Sequence, residues 1–253
     1  MLRLFKILLL ILVLVAVGTF LMSCGTGGNA QVRVINAIDS TTTLSLDIYV
    51  NGNKVASPVT TGEVYPAPAT PAAYVSVPSG HDTVNAYDTG TSTQTNGLFG
   101  TNGDTETISG STDYTMVLVG PNPTSPSIYL FTDSNTIPTS GTMNVRVINA
   151  SSISSANGGI GYSIYTTGQT PPAATTVAFG QTATGTTDGY VPIPFESGQT
   201  YFLEVFLKGN ATPQFIHSFT PGGSSTAGQV TTFVIIDSNG QLDRNPIYMV
   251  DLN

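Results

Sequence analysis

Six letters, Val-Arg-Val-Ile-Asn-Ala, occupy residues 32–37 and return at residues 145–150, 113 positions further on in a chain of 253. A short apolar run of this kind reads as a β-strand, and its return at that distance limits what the chain can fold into. The likeness spreads outward from it. Ile48-Tyr49 matches Ile164-Tyr165, and Tyr74-Val75-Ser76-Val77-Pro78 matches Tyr190-Val191-Pro192-Ile193-Pro194, both at an offset of 116. Further on, Met116-Val117-Leu118 lines up with Val234-Ile235-Ile236 at 118, and Ile128-Tyr129-Leu130-Phe131 with Ile247-Tyr248-Met249-Val250 at 119. An offset that grows in small steps is expected where strands are kept and loops gain residues. A period of about 115 residues is the size of a domain, not of one supersecondary unit. The sequence therefore predicts a duplicated domain: residues 30–135, a linker at 136–142 (TIPTSGT), and residues 143–253.

Within each copy, segments of five to seven residues rich in β-branched and aromatic types alternate with Gly, Pro, Asn and Ser turns. LSLDIYV, DTVNAYD, DYTMVLV and SIYLFTD are examples from the first, YFLEVFL, QFIHSF and VTTFVII from the second. Val50-Asn51-Gly52-Asn53 marks a type I′ hairpin, because Asn-Gly suits positive φ at both central positions. After the N-terminal segment no stretch keeps a helical period. The expected fold is all-β: two tandem antiparallel β-sandwich domains of immunoglobulin-like topology, with a small barrel as the alternative.

The first residues, MLRLFKILLLILVLVAVGTFLMSCG, pair a short basic start with an apolar run from Ile7 to Phe20. That pattern fits a secretory signal, although Leu4–Met22 is nearly long enough for a spanning helix. Leu21-Met22-Ser23-Cys24 resembles the lipobox of bacterial lipoproteins, and Cys24 is the sole cysteine. The resemblance implies a signal peptide over 1–23, acylation of Cys24, and a flexible tether over 24–29. It also implies a chain held at the cell envelope, at the outer membrane or cell surface. An uncleaved anchor and an ordinary cleaved signal are the alternatives. A doubly or triply acylated cysteine holds firmly where a single chain does not.

Val32–Ala37 followed by Leu46-Asp47-Ile48-Tyr49-Val50-Asn51-Gly52 resembles the bacterial domain of unknown function 4397, found singly or in tandem in secreted proteins and lipoproteins. The resemblance implies no activity. The chain departs from the pattern at Asn36 and Asn149, where His is common, and at Ser163, which stands where the first copy has Asp47.

Charged residues are only 9% of the chain. Past the signal, Arg33, Lys54, Arg146, Lys208 and Arg244 face fifteen acidic residues, a net of about −10 at neutral pH. No basic stripe offsets that, so nucleic acid is not an expected partner. Catalysis needs a nucleophile, a base and a group to orient it. The two histidines, His81 and His217, are 136 residues apart and not repeat-equivalent. His217 shares a strand face with Phe215 and Phe219, which reads as packing. Glu63, Glu106, Glu196 and Glu204 occupy no matching positions, and Glu204 is set between Phe202 and Phe206 on one face. Asp237–Asp243 carries alternating oxygen donors like part of a calcium loop but lacks the closing Glu, so a Ser-Asn-Gly turn explains it as well. Arg33 and Arg146 are the only repeat-equivalent basic residues; each shares a face with an Ile, which implies a packed stem and a head paired with a carboxylate or carbonyls. The expectation is thus a non-enzymatic binding or structural module without cofactor or metal. Its partners are the bilayer through Cys24 and an envelope protein or glycan; a calcium-assisted carbohydrate-binding module is the alternative.

Overall fold

A computed structural model describes residues 28–67, 73–91, 97–183, 188–222 and 228–252. The N-terminal half runs β1 (Ala30–Ile38), β2 (Ser45–Val50), β3 (Asn53–Thr60), β4 (Val64–Tyr65) and β5 (Val75–Val77). It continues through β6 (Gly80–Asp88), β7 (Asp104–Ile108), β8 (Asp113–Gly120) and β9 (Ser127–Thr132). The C-terminal half opens with β10 (Thr142–Asn149), a short helix α1 (Ser152–Ala156), β11 (Ile160–Thr166) and β12 (Thr175–Val177). Next come β13 (Gln181–Thr182), β14 (Val191–Pro194), β15 (Tyr201–Leu207) and β16 (Phe215–Phe219). It closes with β17 (Val230–Ile235), β18 (Asp237–Ser238), β19 (Gln241–Leu242) and β20 (Ile247–Leu252).

Each half is two separate sheets, as a sandwich requires, and not a closed barrel. An inner sheet of order β4-β1-β8-β9, with β5 also on β1, packs on an outer sheet of order β3-β2-β6-β7. In the C-terminal half the inner sheet is β13-β10-β17-β20, with β14 also on β10, and the outer sheet is β12-β11-β15-β16. The same strand order thus occurs in both halves. Pairing is antiparallel except for one parallel pair in each inner sheet, β1 with β8 and β10 with β17. Parallel strands are normally covered on both faces and read as continuous apolar runs. The six repeated letters are part of such a run.

Alternation shows what each letter does. Val32 and Val34 face the core of their own sandwich, as do Val145 and Val147 in theirs. Ile35 and Ala37 face the other way, into a third core shared with Ile148 and Ala150. Val117 and Val119 from β8, Val234 from β17 and Met249 from β20 belong to the same cluster. The two inner sheets therefore pack against each other, and the molecule is four sheets deep.

Asn36 and Asn149 face the sandwich interiors and are fully buried. The Asn36 amide donates to Leu44 O and Val59 O, each at 3.1 Å. The Asn149 amide donates to Val177 O at 3.1 Å and to Ser154 Oγ at 2.8 Å. Each amide oxygen accepts a backbone N–H two residues on, from Ile38 and Ser151 respectively. The buried amide thus ties inner sheet to outer sheet in both halves. Nearby, Gly62 N donates to Asn36 O and Gly180 N to Asn149 O, both at 2.8 Å. Gly180 has φ 68°, and a Cβ there would lie 2.2 Å from the Tyr129 ring of the other half. Only glycine allows that approach.

Two of the expected alignments are one residue out. Arg33 is opposite Thr115 on β8, and Arg146 is opposite Thr232 on β17, so those strands correspond at an offset of 117, not 118. Thr115 is in turn opposite Phe131, and Thr232 opposite Met249, so the last strands correspond at 118, not 119. A slip of one residue exchanges the two faces of a strand. Matching Ile-Tyr with Ile-Tyr put core residues in register with interface residues.

Asn149→Ala removes the donor for the buried carbonyl of Val177, and a buried unpaired group costs about 1–3 kcal/mol. Urea denaturation is expected to show a loss of that size for Asn149→Ala. Half-buried Asn144→Ala on the same strand is expected to stay within about 0.5 kcal/mol of the parent.

Candidate functional site

Arg33 and Arg146 leave their strands on the face turned toward the other half, and both side chains are almost wholly buried. Each guanidinium is first held within its own half. Arg33 Nε donates to Thr115 Oγ1 at 2.8 Å, and Arg146 Nε to Thr232 Oγ1 at 3.1 Å. Each then reaches across. Arg33 Nη2 lies 2.5 Å from Asp251 Oδ1 at the end of the C-terminal half. Arg146 Nη2 lies 2.5 Å from Asp133 Oδ1 at the end of the N-terminal half. The Arg33–Asp251 contact is off the hydrogen-bond line, a charge contact rather than a directed bond. Arg33 Nη2 is also 3.3 Å from Asp133 Oδ2.

Hydroxyls complete the cluster. Thr115 Oγ1 donates to Asp133 at 2.7 Å and Thr232 Oγ1 to Asp251 at 2.6 Å. Tyr74 and Tyr190 donate to the same two carboxylates at 3.0 and 2.7 Å. Their rings also lie beneath Arg33 and Arg146, with centroid distances of 5.5 and 4.4 Å. Burial by itself would raise the Asp133 pKa, but the charges of Arg146 and Arg33 and the Thr115 hydroxyl outweigh it, so the carboxyl sits below its ordinary value. Burial also pushes the Tyr190 hydroxyl well up, which keeps it a donor. The packed stem and paired head expected for both arginines are present. Which carboxylates pair with them is not legible from the letters, because an offset of 119 for the last strands hides the match of Asp133 with Asp251. Closed to solvent, this cluster locks the halves together and offers no place for a ligand.

The outer sheet of the C-terminal half offers one. Its inward side chains, Tyr201, Leu203 and Val205, lie in the core, so Phe202, Glu204 and Phe206 face outward by alternation. Tyr165 is opposite Phe202, Ser163 opposite Glu204, and Ile216 on β16 opposite Glu204 from the other side. The Tyr165 and Phe202 rings pair at 5.5 Å and 30°. The Tyr165 hydroxyl donates to Glu204 Oε1 at 2.7 Å. Burial, with Glu204 beside it, pushes that hydroxyl up to about 12. Glu204 is only 8% exposed, while Ile216 is 51% exposed. Gly161, with Ala174 Cβ 3.3 Å and Phe206 Cβ 3.9 Å from where its own Cβ would lie, lets the neighbouring strand close against this face. A carboxylate at the centre of an outward aromatic face is thus the feature with chemistry to offer.

The remaining candidates are scattered. His217 faces Phe233 with ring centroids 6.1 Å apart, and burial lowers its pKa. His81 Nδ1 meets Thr107 Oγ1 at 3.0 Å on the exposed surface of the other half. Asp237 opens β18 and Asp243 follows β19, and the turn between these strands has Asn239 at φ 53° and Gly240 at φ 73°. Asp237 Oδ2 accepts from Ser152 Oγ and Ile153 N, whereas Asp243 Oδ1 accepts from Asn245 N. The alternating oxygens therefore serve a turn and the start of α1. Among the described residues no group of three or more His, Cys, Asp or Glu is placed to hold a metal. Nor is any described helix long and apolar enough to cross a membrane. Cys24 and the segment 1–23 lie outside the described residues.

Removing one partner of a buried ion pair costs about 3–5 kcal/mol, whereas replacing both by apolar groups is often neutral. Guanidinium denaturation is expected to show a loss of that order for Arg146→Met, with most of it recovered in Arg146→Met/Asp133→Leu. The pH dependence follows from the depressed Asp133 carboxyl. An unfolded Asp takes its proton near about 3.9, so the stabilisation is full above about pH 4 and disappears as pH falls through the lower folded value. Asp133→Asn is expected to flatten that acid limb of the stability curve.

Comparison with known proteins adds the following. No curated protein matches the chain. Solved structures overlap only loosely. The Bacillus anthracis TIE protein gives TM-score 0.26 at 9% identity over 83% of this chain and 34% of its own. An alpha-glucan-binding streptococcal virulence factor gives 0.28 at 12% over 86% and 95%. A multi-modular glycogen-degrading pneumococcal virulence factor gives 0.28 at 12% over 85% and 21%. The chain spans about a third of the length of the first and about a fifth of the third. A family described as "Domain of unknown function (DUF4397)" matches residues 30–156, from the start of β1 to the end of α1. The match covers half of the chain and begins on the Val-Arg-Val-Ile-Asn-Ala strand, so this protein belongs to the DUF4397 family.

Proposed function

We propose that the chain is an exported, lipid-anchored, non-enzymatic binding module of the cell envelope. Residues 143–253 form in this reading a second, diverged copy of the domain in residues 30–135, joined through the linker 136–142. The repeated strand order supports the second copy, as do the paired roles of Arg33 with Arg146, Asp133 with Asp251 and Asn36 with Asn149. The observation that carries the binding role is the division of faces. Both inner sheets are consumed by their mutual contact, while the outer sheet of the C-terminal half turns Tyr165, Phe202 and Glu204 outward. Anchoring at the outer membrane or cell surface rests on the Leu21–Cys24 motif.

A carbohydrate-binding module is the second reading, favoured by the Tyr165–Phe202 ring pair beside a carboxylate. Rings of this kind stack on sugars while a carboxylate accepts their hydroxyls. A glycan array with and without calcium decides it, and silence in both conditions removes it.

The anchor is tested on the mature protein. Mass spectrometry is expected to find an N-terminus at Cys24 bearing acyl mass, with the protein in the membrane fraction. Cys24→Ala is expected to lack that mass and to leave the membrane. A mature chain still starting at Met1 would overturn the reading.

A further inference from the structure

We infer that the outer face of the C-terminal outer sheet receives a cationic side chain, the arginine or lysine of an extended partner segment, which pairs with Glu204. The inference rests on the binding-module reading and names the chemistry of its partner. Glu204 is 8% exposed, and its one hydrogen bond among the described residues comes from a neutral hydroxyl, that of Tyr165. Among the described residues no Lys, Arg or His lies within salt-bridge distance of it; the ion pairs found join Arg33, Arg146 and Lys54 to Asp133, Asp251 and Asp47. A carboxylate set among rings without a counter-ion costs free energy that a cation would return.

The surroundings suit such a guest. Tyr165 and Phe202 place a pair of rings beside the carboxylate, and aromatic rings attract guanidinium and ammonium groups. Half-exposed Ile216, directly across from Glu204 on the edge strand β16, supplies an apolar contact for the aliphatic stem or a neighbouring side chain. Charge over the whole molecule points the same way. Among residues 28–252, outside the buried cluster only Lys54, Lys208 and Arg244 oppose thirteen carboxylates, and Lys54 is already paired with Asp47 at 3.0 Å. A surface so anionic draws basic partners and steers their approach. A sugar would satisfy the hydroxyl-accepting power of Glu204 but leave its charge uncompensated, which is why a cation fits better.

The test titrates the full mature chain by calorimetry with an end-capped peptide of alternating arginine and valine, and with its glutamate-for-arginine counterpart. The arginine peptide is expected to bind, more weakly as salt is raised, and the glutamate peptide not to bind. Glu204→Gln keeps the shape and the Tyr165 contact, and is expected to fold with undiminished Tm while binding falls at least about tenfold. Phe202→Ala is expected to weaken binding as well, and Glu63→Gln in the other half to leave it unchanged. Equal binding by Glu204→Gln and the parent overturns the inference. So does binding of an oligosaccharide that depends on Phe202 while the arginine peptide fails. Either result leaves the anchored-module reading standing, because that reading fails only at Cys24 and the membrane fraction.

Discussion

Two ion pairs crossed between the halves hold the architecture in place. Arg33 of the first half meets Asp251 of the second, and Arg146 of the second meets Asp133 of the first. Neither half satisfies its own arginine fully: the neighbouring threonine takes the Nε proton, and beyond it Arg33 has only the 3.3 Å contact with Asp133 and Arg146 only the Asp188 carbonyl at 3.5 Å. Separating the inner sheets would leave two guanidinium groups and two carboxylates on faces otherwise composed of Ile35, Val117, Ile148 and Val234. Apolar contact alone would tolerate sliding of one sheet over the other. Four charges of alternating sign at fixed positions do not, so the cluster sets the register of the two halves.

That role explains which parts of the fold were legible in the sequence. Val-Arg-Val-Ile-Asn-Ala could be read as a strand and as a repeat because every one of its side chains is committed to a buried contact. The valines go to the sandwich core, the arginine and isoleucine to the facing sheet, and the asparagine to buried polar partners. The sandwich class and the Asn51-Gly52 hairpin followed from turn chemistry, and φ is positive at both residues. Strands with little apolar content were not singled out: β7, Asp-Thr-Glu-Thr-Ile, and β3, which carries Pro58 and was implied only as the far side of the Asn51-Gly52 hairpin. They form because tertiary pairing with β6 and β2 supplies what local preference does not. The parallel pairs were also hidden. Nothing local distinguishes a strand that pairs with β8 from one that pairs with its chain neighbour.

The misaligned last strands show how letter matching fails. Ile128-Tyr129 and Ile247-Tyr248 share two letters yet place them on opposite faces, with Tyr129 toward the other half and Tyr248 toward its own sandwich. Aligning by face instead pairs Tyr129 with Ile247 and Phe131 with Met249, and brings Asp133 onto Asp251. The acidic partners of the two arginines were therefore present as a signal, each closing the last strand of its half. They required a question about faces rather than about identity.

The polar residues of the inner sheets recur in both halves, whereas much of the outer faces differs. Arg, Thr, Tyr, Asp and Asn all recur at equivalent positions across the inner sheets. On the outer sheets Asp47, Asn85 and Tyr87 of the first half stand where Ser163, Phe202 and Glu204 stand in the second. Asp47 is provided for within the fold, since Lys54, Ser57 and Thr89 all reach its carboxylate. Glu204 has Tyr165 alone among the described residues. Each outer face is free to differ once the inner faces are locked, because substitutions there do not disturb the contact between halves. The outer face of the C-terminal half is thus the one whose carboxylate has no counter-charge among the described residues.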